Sequence, residues 1–134
     1  MLKKILSIAG KPGLYRLVGR GKGMIIVEAL ADGKRFPVGT RDRVSALGDI
    51  TMYTNGDDEP LANILKKIGE KYELKPINVK NYDSKESLND FFAEILPNYD
   101  TDRVYPTDIR KLIQWYNVLI AAGITDFTAK EEEE

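Results

Sequence analysis

A chain of 134 residues, 43% hydrophobic and 31% charged, has the size and balance of one ordinary globular domain, and seven Tyr, four Phe and one Trp supply bulky core material. With no Cys and no His it holds no disulfide framework, thiolate nucleophile or zinc ribbon, and it lacks the commonest metal ligand and near-neutral general base. Net charge is only -1, but residues 1–48 carry ten Lys or Arg against three acids and residues 49–134 carry ten against eighteen, so the halves stand at +7 and -8. Such a split fits a nucleic-acid face, two halves of one fold attracting each other, or a head-to-tail contact between copies.

Residues 1–9 hold two lysines and a few apolar side chains, and Gly10, Lys11 and Pro12 interrupt them before a signal-peptide core can form. No other segment approaches the apolar length that spans a bilayer, so the expected compartment is the cytoplasm and no membrane partner is expected. Pro12 and Gly13 suit the second and third positions of a type II turn over residues 10–13. Strands are predicted over residues 14–18 and 24–30, joined through the glycine-punctuated residues 19–23. Asp32 and Gly33 then offer a hairpin turn into residues 34–38, where Pro37 marks an edge or an end. Thr40 can cap one helical turn over residues 41–47, stopped by Gly48, and a last short strand over residues 50–54 closes the module.

Beyond the polar residues 55–59 the spacing turns helical. Pro60 suits a first helical position, and Leu61, Ile64, Leu65 and Ile68 repeat at i, i+3, i+4 and i+7. Residues 73–81, with Pro76 inside, read as a linker or short extended piece. Asp83 with Glu86 resembles a capping box before Leu88, Phe91, Phe92 and Ile95, with Pro97 as the stop. A third helix is predicted from Thr107 and Asp108, carrying Ile109, Leu112, Ile113, Tyr116, Leu119 and Ile120, and ending at Gly123. The terminal run Glu131 to Glu134 repels itself and is expected to be disordered.

Several groups invite a chemical reading, each beside a plainer one. Gly19, Gly21 and Gly23 with Arg20 and Lys22 suggest a phosphate loop, but the spacing lacks the Walker pattern and a strand follows, so a hairpin loop is the plainer reading. Asn98, Asp100 and Asp102 alternate like calcium ligands, yet Arg103 and Ile109 stand where Gly and a bidentate Glu are needed. The plainer reading is an interhelical loop whose carboxylates cap the third helix or pair with Arg103. No metal and no cofactor is therefore expected. Asp49, Asp100, Asp102 and Asp108 would have to serve any carboxylate-based hydrolase, and without His, Cys or a Ser-Lys arrangement the chain is read as non-enzymatic.

The set Lys11, Arg16, Arg20, Lys22, Lys34, Arg35, Arg41 and Arg43, with Tyr15 and Phe36 nearby, could bind phosphates and stack bases, although strand alternation would send half of it to another face. Trp115, one position off the core stripe of the third helix, is the candidate partner anchor, packing on the β module or on another copy.

Residues 2–15, residues 47–50 with 52–54, residues 96–100 with 102–106, and residues 115–117 with 122–127 are distinctive strings. Through them the chain resembles a small bacterial family built from two domains of unknown function. The polar middle, residues 71–84, carries none of the likeness, and the likeness implies no activity, substrate or cofactor.

The expected fold is α+β: a basic, small SH3-like or Tudor-like β-barrel module over residues 1–54, an acidic three-helix segment over 55–127, and an acidic tail over 128–134. The expected role is a binding or interaction module meeting a protein partner or a second copy of itself. A nucleic-acid binder using the basic module is the first alternative, and the hydrolase the second.

Overall fold

The computed structural model describes residues 2–11, 13–39, 41–125 and 127. Pro12 as a turn residue, Thr40 as a cap and the tail over 128–134 lie outside them. The strands β1 (Ile5–Ile8), β2 (Tyr15–Gly21), β3 (Met24–Ala29), β4 (Arg35–Gly39) and β5 (Val44–Ala46) form one antiparallel sheet in the order β4-β3-β2-β1-β5. The two hairpins anticipated at residues 19–23 and 32–33 join β2 to β3 and β3 to β4, with Gly23 and Gly33 at φ 67° and 75° taking the left-handed turn positions.

Two strands differ from expectation. Strand β1 was not anticipated: its residues show no polar alternation because both faces are covered. Ile5 enters the main core, while Leu6 and Ile8 enter a second cluster on the opposite face. Strand β5 stands where a helical turn was expected. Its residues pair Leu6 with Ala46, Ser7 with Ser45 and Ile8 with Val44, so a long-range ladder overrides local propensity, and the 3-10 turn falls later, at Leu47–Asp49.

Cross-strand register sorts the side chains. Leu6, Ile8, Tyr15, Val27 and Val38 share the inner face, surrounded by half-buried Leu17, Ile25, Phe36 and Val44, and Phe36 meets Tyr15 edge to face at 5.4 Å. The register steps between Leu17 and Gly19, a bulge that brings Arg20 opposite Ile25 and onto the inner face. No ladder joins β4 to β5 among the described residues, so the sheet is open with two edges. On edge strand β4, Pro37 lies opposite Ile26. The Ala29 amide donates to the Lys34 carbonyl, and antiparallel alternation then aims the Pro37 nitrogen away from β3.

The last predicted strand leaves the sheet. Strand β6 (Thr51–Met52) pairs with β7 (Glu59–Pro60) in a separate ribbon. Beyond it Thr54 bridges to Tyr99, the Asn55 amide donates to the Asn98 carbonyl and the Asp100 amide to the Tyr53 carbonyl. Thr54 is the buried polar side chain of the described residues, and it is satisfied: its hydroxyl donates to the Asp57 carbonyl and accepts from the Gly56 amide.

The helices α1 (Leu61–Lys71), α2 (Lys85–Ile95) and α3 (Pro106–Ala121) bury the stripes their spacing predicts, with Ile120 half-buried. Their caps shift. Pro60 sits at the N-cap of α1 and in β7, not inside the helix. Ser84 rather than Asp83 caps α2, its hydroxyl accepting from the Ser87 amide while the Ser87 hydroxyl accepts from the Ser84 amide. Helix α3 starts at Pro106, one residue before Thr107, with Tyr105 as its N-cap and the Asp108 carboxylate accepting from the Tyr105 amide. Between α1 and α2, Ile77 is held in an extended pose by Asn117, which accepts from its amide at 2.8 Å and donates to its carbonyl at 2.7 Å.

The main core crosses the midpoint of the chain. Leu2, Ile5, Leu14 and Leu47 from the sheet half lie in the same buried cluster as Leu65, Phe92, Ile113 and Tyr116 from the helices. Each such side chain withdrawn from water contributes about 1.5–3 kcal/mol. The two halves therefore fold around one interior.

Candidate binding groove

On α3 the core-facing stripe is flanked by a second one: Lys111, Gln114, Trp115 and Val118, at i, i+3, i+4 and i+7. Trp115 is half-buried, packed on the edge of the main cluster. A hollow lies on each side of it. One, of about 300 Å³, lies between α3 and the turn joining β1 to β2, with Ser7, Ile8, Lys11, Lys111, Gln114 and Trp115 in its wall. The other, of about 230 Å³, lies between α3 and β6, with Met52, Tyr53, Arg103, Asp108, Lys111 and Trp115. Lys111 and Trp115 belong to both. The pair is therefore the ridge of a two-sided groove at the seam between the sheet half and the helical half.

The electrostatics of the two hollows differ. Beside β6, Arg103 lies 4.3 Å from the centroid of the Tyr53 ring, donates to Asp100 at 2.7 Å and reaches the Thr54 carbonyl at 3.4 Å. Its hydrogen bond, with that from the Asp102 amide, holds the Asp100 carboxyl below the ordinary carboxylate range, and the same contact raises Arg103. Asp108, in the same wall, is engaged by the Tyr105 amide. Beside the β1–β2 turn, none of the described lining residues is acidic, and two are lysines. Lys11 extends its ammonium 5.0 Å from the centroid of the Phe36 ring, and among the described residues neither lysine has an ion pair.

All eight cations singled out in the sequence are exposed, but they do not share one face. Arg16 and Arg35 stand on the outer face of the sheet on either side of Glu28, and Arg35 is ion-paired with it at 2.9 Å. Arg20 is on the inner face, beside Met24, Ile25, Val38 and Asp42 in a third hollow of about 350 Å³. Lys22 and Lys34 lie at the two hairpin connections, and Arg41 and Arg43 follow β4. Of the eight, only Lys11 lines the groove beside Trp115, among the described residues.

Residues 98–103 form the interhelical loop of the plainer reading: both Asp100 oxygens are taken, one by Arg103 and one by the Asp102 amide at 2.9 Å. No group of three metal-ligating side chains gathers among the described residues. Residues 19–21 end β2 and residues 22–23 turn the chain into β3, a hairpin connection in place of a phosphate loop. Sequence reasoning singled out Trp115 but not Lys111 or Tyr53, and named Arg103 only as a partner of the loop carboxylates. Lys111 was signalled by lying four residues before Trp115 on the same flank, whereas Tyr53 and Arg103 meet only through the pairing of residues 53–55 with 98–100.

Fold and groove define a class: a two-part α+β protein whose sheet half and helical half close over a common interior. Residues 2–47 match the family described as Domain of unknown function (DUF5606), and residues 50–119 match Domain of unknown function (DUF6852). The chain belongs to the bacterial family that joins these two domains. It is similar to a protein from Bacteroides vulgatus, a structural-genomics target solved by solution NMR, at 50% identity and a TM-score of 0.77, over 96% of this chain and 92% of that one. No curated protein matches. No helix among the described residues is long and apolar enough to cross a membrane.

Proposed function

We propose that this protein is a non-enzymatic interaction module of the cytoplasm, and that its recognition surface is the groove on either side of Trp115. The observation that carries this reading is the shared wall: one aromatic side chain and one exposed lysine face two hollows at the seam of the two domains. A tryptophan anchor with Tyr53 and Arg103 beside it and a polar rim is the composition of an interface hot spot. The candidate catalytic carboxylates support the same reading, since Asp100 and Asp108 already serve Arg103 and the α3 cap. We also read the sheet as an incompletely closed SH3-like barrel, because its two edges, β4 and β5, share no ladder among the described residues yet both contribute to one inner cluster.

Capture of partners from native cytoplasm with the wild type and with Lys111→Glu tests the proposal. Lys111 is exposed, so reversing its charge leaves the core intact. A partner held by the wild type and lost by the variant is expected; partners held equally by both would overturn the assignment of the surface. The nucleic-acid alternative predicts salt-sensitive polarisation of short RNA or DNA at low salt, and a flat signal removes it. The homodimer alternative predicts a mass that rises with concentration in light scattering.

A further inference from the structure

We infer that the hollow between the β1–β2 turn and α3 takes an acidic peptide segment, with one apolar side chain against Trp115 and flanking carboxylates on Lys11 and Lys111. This deepens the proposed function and rests on it. The size argues for a segment rather than a large ligand: about 300 Å³ lies at the bottom of the range for ligand sites and suits one bulky side chain with its neighbours. The wall offers Trp115 and Val118 to that side chain, and Ser7 and Gln114 as hydrogen-bonding groups at its margin.

Charge selects the flanks. The two lysines come from positions 100 residues apart in sequence and border one hollow whose described lining holds no acid. The exposed Lys11 side chain, whose ammonium rests over the Phe36 ring, turns toward the hollow to meet a carboxylate there. An anionic visitor therefore meets positive potential without an opposing carboxylate. A polynucleotide would need a row of cations tracking its backbone. Arg16 and Arg35 instead stand on the outer face with Glu28 between them, and among the described residues no third cation lines this hollow. A short peptide needs only the two lysines.

The chain has a single tryptophan, so its emission reports on the two hollows that share it, and Lys11, which lines only this one, assigns the response. The probe is a blocked pentapeptide with Phe at its centre and two acidic residues on each side; the control replaces the four acids with lysines. The acidic peptide should shift or quench Trp115 emission saturably, more weakly at high salt, and Lys11→Gln and Lys111→Gln should each weaken it roughly two- to fivefold, the size of an exposed charge contact. Thermal unfolding of both variants confirms that they are folded. An unchanged emission at millimolar peptide, an equal response to the lysine peptide, or full affinity in both variants would overturn the inference. If a cytoplasmic partner were still lost by Lys111→Glu, such a result would sink the acidic ligand while leaving the interaction module standing.

Discussion

The molecule has two hydrophobic clusters of unequal character. The larger runs from Leu2 to Phe127 and draws on both halves of the chain, with Ile5, Ile64, Phe92 and Tyr116 fully sealed. The smaller, on the inner face of the sheet, has five buried members inside a ring of half-buried ones, and only Val27 among them is completely excluded from solvent. Polar stitching follows the larger cluster: Asn117 holds Ile77, and the Tyr116 hydroxyl donates to the Lys75 carbonyl at 2.8 Å. The difference teaches that the family boundary near residues 47–50 is not a boundary of the interior. The sheet half is completed by the helices, and the groove beside Trp115 exists only where the halves meet.

The hardest way to break that comparison is to cut the chain. A fragment of residues 1–48 returns Leu2, Ile5, Leu14 and Leu47 to water. At about 1.5–3 kcal/mol each, the loss matches the whole stability of a typical domain. The fragment should show the collapsed amide dispersion of an unfolded chain in heteronuclear NMR; a well-dispersed spectrum would mean the small cluster suffices alone.

Single truncations sharpen the same point at lower cost. Ile5→Ala, fully buried between the halves, should cost about 2–5 kcal/mol and lower the urea midpoint of sheet and helix signals together. Val38→Ala in the small cluster removes two methyl groups and should cost only about 1–2 kcal/mol. Separate sheet and helix transitions in Ile5→Ala would sever the shared interior.

The smallest effect concerns the stitching near the groove. Because Arg103 lowers the Asp100 carboxyl in the folded state, the pair adds stability that is present above the ordinary carboxylate value and disappears as pH falls through the lowered one. Carboxyl NMR should find Asp100 titrating below its ordinary value of 3.8, and Arg103→Gln should move the midpoint up toward it. An unmoved midpoint would transfer the cause to the Asp102 amide.

Legibility in the sequence followed how local each cause is. Apolar repeats exposed all three helices, and glycine chemistry exposed both hairpins. Strand β1 stayed hidden because Ile5 and its neighbours are covered on two faces, which removes alternation. Strand β5 stayed hidden because only its partner β1, some 40 residues away, makes it a strand. The caps slipped by one or two residues because Ser84 and Tyr105 compete with equally plausible neighbours. Trp115 stood out by its offset on α3, yet the hollows it lines draw on residues 7–11 and 13, 50–53, 61 and 103–118, which no window of sequence joins.

The proline on the outermost long strand has a consequence for solubility at high concentration. An unguarded rim of backbone is a template on which identical chains add rung after rung into fibrous aggregates. A ring nitrogen carrying no hydrogen, aimed outward at Pro37, removes one rung in mid-strand. The protein can thus leave this edge of its sheet open at high concentration without offering copies of itself an unbroken ladder.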